Sequence, residues 1–228
     1  MKWTPVEFQK KLIEHGYSLP QYGADGYWGD ESADACARWF RDGTDLGVAL
    51  PPVESSGIVP IEWMPDCAMT KVVVHWTAGS YTVSEVDKEH YHIIVSGTSE
   101  LVKGDYSIKA NVSTNDADGY AAHTSQCNTG AIGISAACMA GAVESPFSPG
   151  SYPLLEAQFL TLAAATADLC RKYRIAVSPT TVLQHGEVQK NLGIPQSGKW
   201  DICKLPWAPK LTSVEVGNKF RTEVSQRL

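Results

Sequence analysis

Several features that would assign a protein to a common class are missing from this sequence. None of its six cysteines forms a C-x-x-C pair, which argues against a structural zinc knuckle. No Lys/Arg cluster is visible and the net charge is −6, so a nucleic-acid partner is disfavoured. Residues 1–5 lack the apolar core of a signal peptide, and no stretch is long and apolar enough to span a membrane. We therefore expect synthesis in the cytoplasm and no membrane insertion.

The composition and the linker pattern predict two domains. With 228 residues, 43% of them hydrophobic and 19% charged, the chain suits one medium globular domain plus a small one. Prolines, serines and glycines crowd the stretch 43–60, as in a linker. We predict a small all-α three-helix domain at 1–45, a linker at 46–60 and a main domain at 61–228.

Strand-like and helix-like patterns alternate in the main domain. Three valines precede His75 in a buried-strand pattern, and residues 92–95 and 131–136 show two more apolar runs. Residues 154–173 carry apolar side chains at steps of three and four, which is typical of a helix packed on one face. The pattern predicts an α/β fold with a mixed central sheet flanked by helices.

Two histidines lie at positions where active-site residues are expected. His75 and His185 each end an apolar, strand-like run, and active sites in layered α/β folds gather at strand ends. Asp201 follows in a predicted loop. Two neutral imidazoles and one carboxylate form a three-ligand zinc site with an open fourth position. The same ligand types also describe a non-haem iron site, so the metal stays open at this point.

Four blocks of sequence resemble the type 2 N-acetylmuramoyl-L-alanine amidases, the family of peptidoglycan recognition proteins and phage endolysins. The first two are VVVHWTAG at 72–79 and YHII at 91–94. The third is AHT at 122–124, followed by Asn128 and by IGIS at 132–135. The fourth is HGEV at 185–188, followed by KWD at 199–201. They occur in the family's order. The resemblance implies a zinc-dependent enzyme that cuts the amide bond between N-acetylmuramic acid and L-alanine in bacterial peptidoglycan.

The resemblance also assigns roles to residues. His75, His185 and Asp201 match the zinc ligands, and Cys203 is a rival for the third position because some members use cysteine there. Tyr91 matches a catalytic tyrosine, and Lys199 matches a lysine that stabilises the oxyanion. The residues expected to line the substrate groove are Trp76, Thr77, His123 and Asn128.

One position departs from the pattern of the family. Some members place a catalytic glutamate after the Ile-Gly-Ile strand, where this chain has Ser135, Ala136 and Ala137. The substitution shifts the predicted acid/base role towards Tyr91.

The N-terminal segment resembles a peptidoglycan-binding module through Phe8-Gln9, Gly16-Tyr17 and the loop at 25–29. Together the segments suggest a monomeric phage or prophage endolysin that reaches the cell wall after release from the host cytoplasm. The main alternative is a recognition protein that binds peptidoglycan without cutting it. A Cys–His hydrolase is a further alternative, although no cysteine lies in a recognisable nucleophile motif.

Overall fold

The structure, a computed structural model, describes residues 4–21, 23–26, 30–42, 57–115 and 117–228. The chain divides into two compact units, Met1–Ser56 and Gly57–Leu228. Among the described residues, no helix combines the length and the apolarity that a membrane-spanning segment needs.

The first unit contains α1 (Pro5–Glu14) and α2 (Asp30–Asp42). Thr4 caps α1 in a capping box with Glu7, and proline at the first helical position suits the fixed backbone angle there. Buried Gln9 accepts from the Gly26 N–H at 2.7 Å and donates to Ser32 at 2.9 Å, which ties the glycine-containing loop to both helices. The core of this unit consists of Phe8, Leu12, Tyr17, Leu19, Ala35, Cys36 and Trp39.

Most of the predicted linker (46–60) and the last residues of the predicted three-helix domain (1–45) fall on 43–56, outside the described residues. The three-helix domain therefore stays a prediction. Residues 57–60, which the sequence placed in the linker, belong to the second unit. Val59 is buried there, and its N–H donates to the Asp168 carboxylate at 3.0 Å.

A five-stranded mixed sheet forms the centre of the second unit, with strand order β3-β2-β4-β1-β5. The antiparallel pair β2–β3 lies at one edge, and the other neighbours are parallel. The parallel strands end at the same side of the sheet, which brings the segments that follow β1 and β5 together. The strands are β1 (Lys71–Trp76), β2 (Ile93–Val95), β3 (Leu101–Lys103), β4 (Ala131–Ala136) and β5 (Val182–Gln184).

The helices of this unit are α3 (Glu85–His90), α4 (Glu156–Tyr173), α5 (Val188–Leu192) and α6 (Ser213–Ser225). Phe159 of α4 and Phe220 of α6 meet edge to face with ring centroids 5.2 Å apart. The Gln158 amide donates to the backbone carbonyls of Val95, Ser96 and Ala137, which fixes the start of α4 over the ends of β2 and β4.

The two faces of the sheet differ in chemistry. Val72 and Val74 pair in register with Ile132 and Ile134, and all four belong to the main hydrophobic core with α4 and α6. His75 pairs in register with Ser135 and, because side chains alternate along a strand, both point to the opposite face. The predicted mixed sheet with flanking helices is confirmed, and its second face carries the candidate site.

Candidate metal centre

Three side chains meet where the parallel strands end. His75 lies near the end of β1, His185 directly follows β5, and Asp201 lies on the loop beyond α5. Asp201 Oδ2 is 3.0 Å from His75 Nδ1 and 3.1 Å from His185 Nδ1. The three residues are buried, and their ligand atoms all lie within 4.8 Å of one another. The structure thus brings together the three predicted ligands.

Gln196 determines which nitrogen of His185 carries the proton. The Gln196 amide nitrogen donates to the Ser125 carbonyl at 2.9 Å, so the amide oxygen faces His185 Nε2, also at 2.9 Å. An amide oxygen only accepts, and therefore Nε2 carries the proton of the neutral ring. His185 Nδ1 then presents a bare lone pair to the Asp201 carboxylate. Two acceptors 3.1 Å apart repel each other unless a cation or a proton lies between them.

These distances fit a zinc ion. Zn–N and Zn–O bonds of about 2.0–2.1 Å at a tetrahedral angle place two ligand atoms about 3.4 Å apart. The 3.0 and 3.1 Å separations between Asp201 and the two histidines are within a few tenths of an ångström of that value. The hydrogen bond from His185 Nε2 to Gln196 is the kind of outer contact that orients a metal-binding imidazole.

The environment favours the protonation states that a metal requires. Burial lowers the pKa of His75 to about 4, although the Asp201 carboxylate opposes this shift, so the ring is neutral at pH 7. Burial raises the pKa of Asp201, but its contacts with the ring nitrogens of His185 and His75, which donate whenever they hold a proton, lower it more, and the net pKa is well below the usual range. A neutral imidazole and an ionised carboxylate are therefore ready to bind a cation.

Cys203, the predicted rival ligand, lies outside this group. Its sulfur packs against Gly186, where an added Cβ would come within 2.2 Å of Sγ. Burial, together with the charges of Asp201 and Glu187, raises the pKa of the Cys203 thiol to about 12. Zinc binds the thiolate rather than the thiol, so the geometry and the protonation state both favour Asp201.

His123 and Asn128, predicted to line the substrate groove, lie buried behind His75. His123 Nδ1 is 3.3 Å from His75 Nε2, and its ring packs on Gly133, where a Cβ would come within 2.4 Å of the ring. The Asn128 side chain accepts from the backbone N–H groups of His123 and Thr124 at 3.1 and 2.8 Å. Both residues support His75 from the chain's interior, and their contact with substrate stays a prediction.

Trp76 and Thr77 also have structural contacts. Trp76 follows His75 in β1 and points to the opposite face, where it joins the main core and meets Trp200 with ring centroids 4.7 Å apart. The Thr77 hydroxyl accepts from the backbone N–H of Gly79 at 3.1 Å. The alternation of the strand therefore gives Trp76 a packing position, and contact of Trp76 and Thr77 with substrate stays a prediction.

Tyr91 and Lys199, the predicted catalytic pair, both lie near the ligand group. The Tyr91 ring centroid is 5.1 Å from that of His75. Burial, followed by the charge of Asp201, raises the pKa of the Tyr91 phenol far above its usual range, so it stays protonated. Lys199 is exposed, and its charge is close enough to His75 to contribute to the low pKa of that ring.

Other supporting residues were assigned no role from the sequence. Gln196 is a single polar residue in a loop, and the Thr124 hydroxyl lies 2.8 Å from His123 Nδ1. A buried ion pair joins Glu187, two residues after His185, to Arg221 of α6 at 2.9 and 3.0 Å. The contacts of Gln196 and of the Glu187–Arg221 pair join chain segments that meet only in the fold, so spacing along the sequence could not have found them.

The fold and the site together define a mixed α/β domain with a buried His-His-Asp group at the ends of its parallel strands. The family model for N-acetylmuramoyl-L-alanine amidase matches residues 65–203, which include all three ligands. The match covers more than half of the chain, and the chain therefore belongs to this family.

Similar solved structures are endolysins. The endolysin N-acetylmuramoyl-L-alanine amidase LysCS from Clostridium intestinale URNW is 14% identical, with 73% of this chain and 93% of that chain covered at a TM-score of 0.42. The Ph2119 endolysin from Thermus scotoductus MAT2119 bacteriophage Ph2119 is 13% identical, with 75% and 93% covered at a TM-score of 0.41. No curated protein matches the chain.

Proposed function

We propose that the protein is a zinc-dependent amidase that hydrolyses the bond between N-acetylmuramic acid and L-alanine in bacterial peptidoglycan. The observation that carries this proposal is the buried group of His75, His185 and Asp201 within the region that matches the amidase family. A non-catalytic recognition protein would not need a complete ligand set, and all three ligand positions are filled here.

The metal and the surrounding residues have separate tasks. Zinc, when bound, would lower the pKa of a coordinated water to about 7 and polarise the scissile carbonyl. His75, His185 and Asp201 would hold the ion, and Gln196 would keep His185 in the tautomer that leaves Nδ1 free. The protein thereby supplies a preorganised site that needs little rearrangement during the reaction.

Tyr91 and Lys199 would act on the reacting groups. The phenol of Tyr91 stays protonated beside His75, so it can donate a hydrogen bond to the attacking water or pass a proton towards the leaving amine of L-alanine. The ammonium group of Lys199 would stabilise the negative charge that develops on the lactyl carbonyl oxygen. No glutamate follows β4 to share the acid/base role, because Ser135 and Ala136 end that strand.

For the whole chain we propose the role of a phage or prophage endolysin. The first unit is compact by itself and resembles a peptidoglycan-binding module in sequence, which suits a protein that must find intact cell wall. Its proposed task is to raise the concentration of the catalytic unit at the wall.

Digestion of purified cell wall tests the proposed reaction. We expect new N-terminal alanine amines to appear and the number of reducing sugar ends to stay constant. Treatment with a chelator should stop the release, and added zinc should restore it. New reducing ends without free alanine amines would refute the amidase function. Tight binding to the wall with neither product would favour the recognition protein instead.

A further inference from the structure

Ser135 is a polar residue in an otherwise apolar strand. The strand β4 has the sequence AIGISA, and all of its residues are buried. The Ser135 side chain is fully buried, and its hydroxyl has no hydrogen-bond partner among the described residues. A buried hydroxyl without a partner destabilises a protein, and alanine would fit the same position without that loss. Stability alone therefore does not explain why a serine occupies this position.

The register of the sheet places Ser135 at the metal centre. Ser135 pairs with His75 across the parallel ladder between β4 and β1. Paired residues point to the same face of a sheet, so the unpartnered hydroxyl faces the side that carries His75. Ile94, its register partner on β2, is apolar and offers no side-chain hydrogen bond.

Tyr91 lies on the same side. Its ring packs beside His75, and burial raises the pKa of its phenol, while the nearby Ser135 hydroxyl partly offsets that rise. The two hydroxyl groups are thus close enough to interact, but their contact does not reach the geometry of a full hydrogen bond. Hydrogen bonds used in catalysis are often long or poorly aligned before substrate binds and tighten in the complex.

We propose that Ser135 is a positioning residue, whose hydroxyl donates to the phenolic oxygen of Tyr91 when peptidoglycan is bound. A phenol that accepts one hydrogen bond has its own O–H directed away from that donor. Ser135 thereby aims the Tyr91 O–H at the attacking water or at the leaving amine of L-alanine. This inference rests on the proposed amidase function and adds a residue that acts through Tyr91.

A double-mutant cycle tests the inference. Wild type, Ser135→Ala, Tyr91→Phe and the double variant are compared on a soluble muropeptide by the release of N-terminal alanine. We expect Ser135→Ala to lower kcat about 10-fold, as for one directed hydrogen bond, with little change in KM. Tyr91→Phe should lower kcat about 10²–10⁴-fold. The double variant should be no slower than Tyr91→Phe alone, since Ser135 then has no phenol to direct.

Metal content and a near-isosteric variant provide the controls. Elemental analysis should find equal zinc in all four proteins, because Ser135 is not a ligand. Ser135→Cys fills a similar volume with a weaker donor, so its kcat should fall between wild type and Ser135→Ala. It also serves as the test variant if Ser135→Ala folds poorly.

The outcomes separate this inference from the proposed function. Release of alanine amines by the wild type supports the amidase function independently of Ser135. The positioning role alone would be overturned if Ser135→Ala lowered kcat by the same factor in the wild-type and the Tyr91→Phe backgrounds. It would also be overturned if Ser135→Ala had the kcat of the wild type. A wild-type protein that releases no alanine would overturn both.

Discussion

The ion pair between Glu187 and Arg221 gives a direct test of how the fold holds His185. Both side chains are buried, and two hydrogen bonds of 2.9 and 3.0 Å join them. Glu187 also accepts from the Gln184 N–H at 3.1 Å, and Arg221 donates to the Val182 carbonyl at 3.1 Å. The pair therefore connects α6 to both ends of β5 and to the turn that begins with His185.

The perturbation is Arg221→Met, which removes the positive charge and leaves the Glu187 carboxylate buried. Breaking a buried pair by removing one partner costs about 3–5 kcal/mol. For a protein of this size we expect the melting temperature to fall by about 6–20 °C. Replacing both residues by methionine should recover much of the loss, because no uncompensated charge remains.

Thermal and urea unfolding of the zinc-free protein measure these effects, with Lys219→Met as the matched control on the same helix. Lys219 is 3.6 Å from Glu223 and its side chain is 37% exposed, so the control should cost less than about 1 kcal/mol. Arg221→Met should also bind zinc more weakly in equilibrium dialysis, because the turn carrying His185 is less restrained. An effect of Arg221→Met as small as that of Lys219→Met, or no recovery in the double variant, would refute the reasoning.

Three further predictions concern the metal, the pH dependence and the two units. The protein should contain about one zinc ion per chain by elemental analysis. Asp201→Ala should lose the zinc ion. Cys203→Ala should keep it, because the Cys203 thiol is protonated. Iron in place of zinc, or full retention of the metal in Asp201→Ala, would contradict the ligand assignment. Burial lowers the pKa of His92 to about 4, so the unfolded state binds a proton that the folded state does not. The contribution of His92 to the unfolding free energy should therefore fall by up to about 3 kcal/mol as the pH drops from about 6.5 to 4. His92→Gln should reduce this pH dependence, and substitution of the exposed residue His90 by glutamine should preserve it. Equal slopes of the unfolding free energy against pH in the two variants would argue against a neutral buried His92. Removal of residues 1–56 should preserve turnover of small muropeptides and weaken sedimentation with intact wall. Equal sedimentation of the full and the shortened chain would remove the case for a wall-binding first unit.

Much of the sheet could be predicted from local pattern. The run of valines before His75 predicts a buried strand, and β1 covers Lys71–Trp76. The apolar stripe predicts a helix at 154–173, and α4 covers Glu156–Tyr173. Because β1 and β5 are parallel neighbours, the two histidines that end these strand patterns meet at the carboxyl ends of the strands.

Tyr91 shows where local pattern misleads. The apolar run at 92–95 predicts a strand beside Tyr91, but Tyr91 directly follows the unpredicted helix α3 and the strand begins at Ile93. The helix α3 has no buried residues, so it carries no apolar stripe for periodicity to detect. The capping box of Ser84 and Asp87 was the available signal, since it satisfies the first backbone N–H groups of the helix.

Trp76 and Ser135 show what depends on pairing between distant segments. Strict alternation along β1 already separates His75 from Trp76, so the placement of Trp76 in the core follows from a rule that the sequence supplies. Ser135 is different, because its position beside His75 depends on a register between strands that lie 60 residues apart. A shift of one residue in that register would turn Ser135 into the core and bring Ile134 or Ala136 to the metal face. Burial of Val72 and Val74 against Ile132 and Ile134 stabilises the observed register, so the packing of the apolar face determines which hydroxyl faces the metal centre.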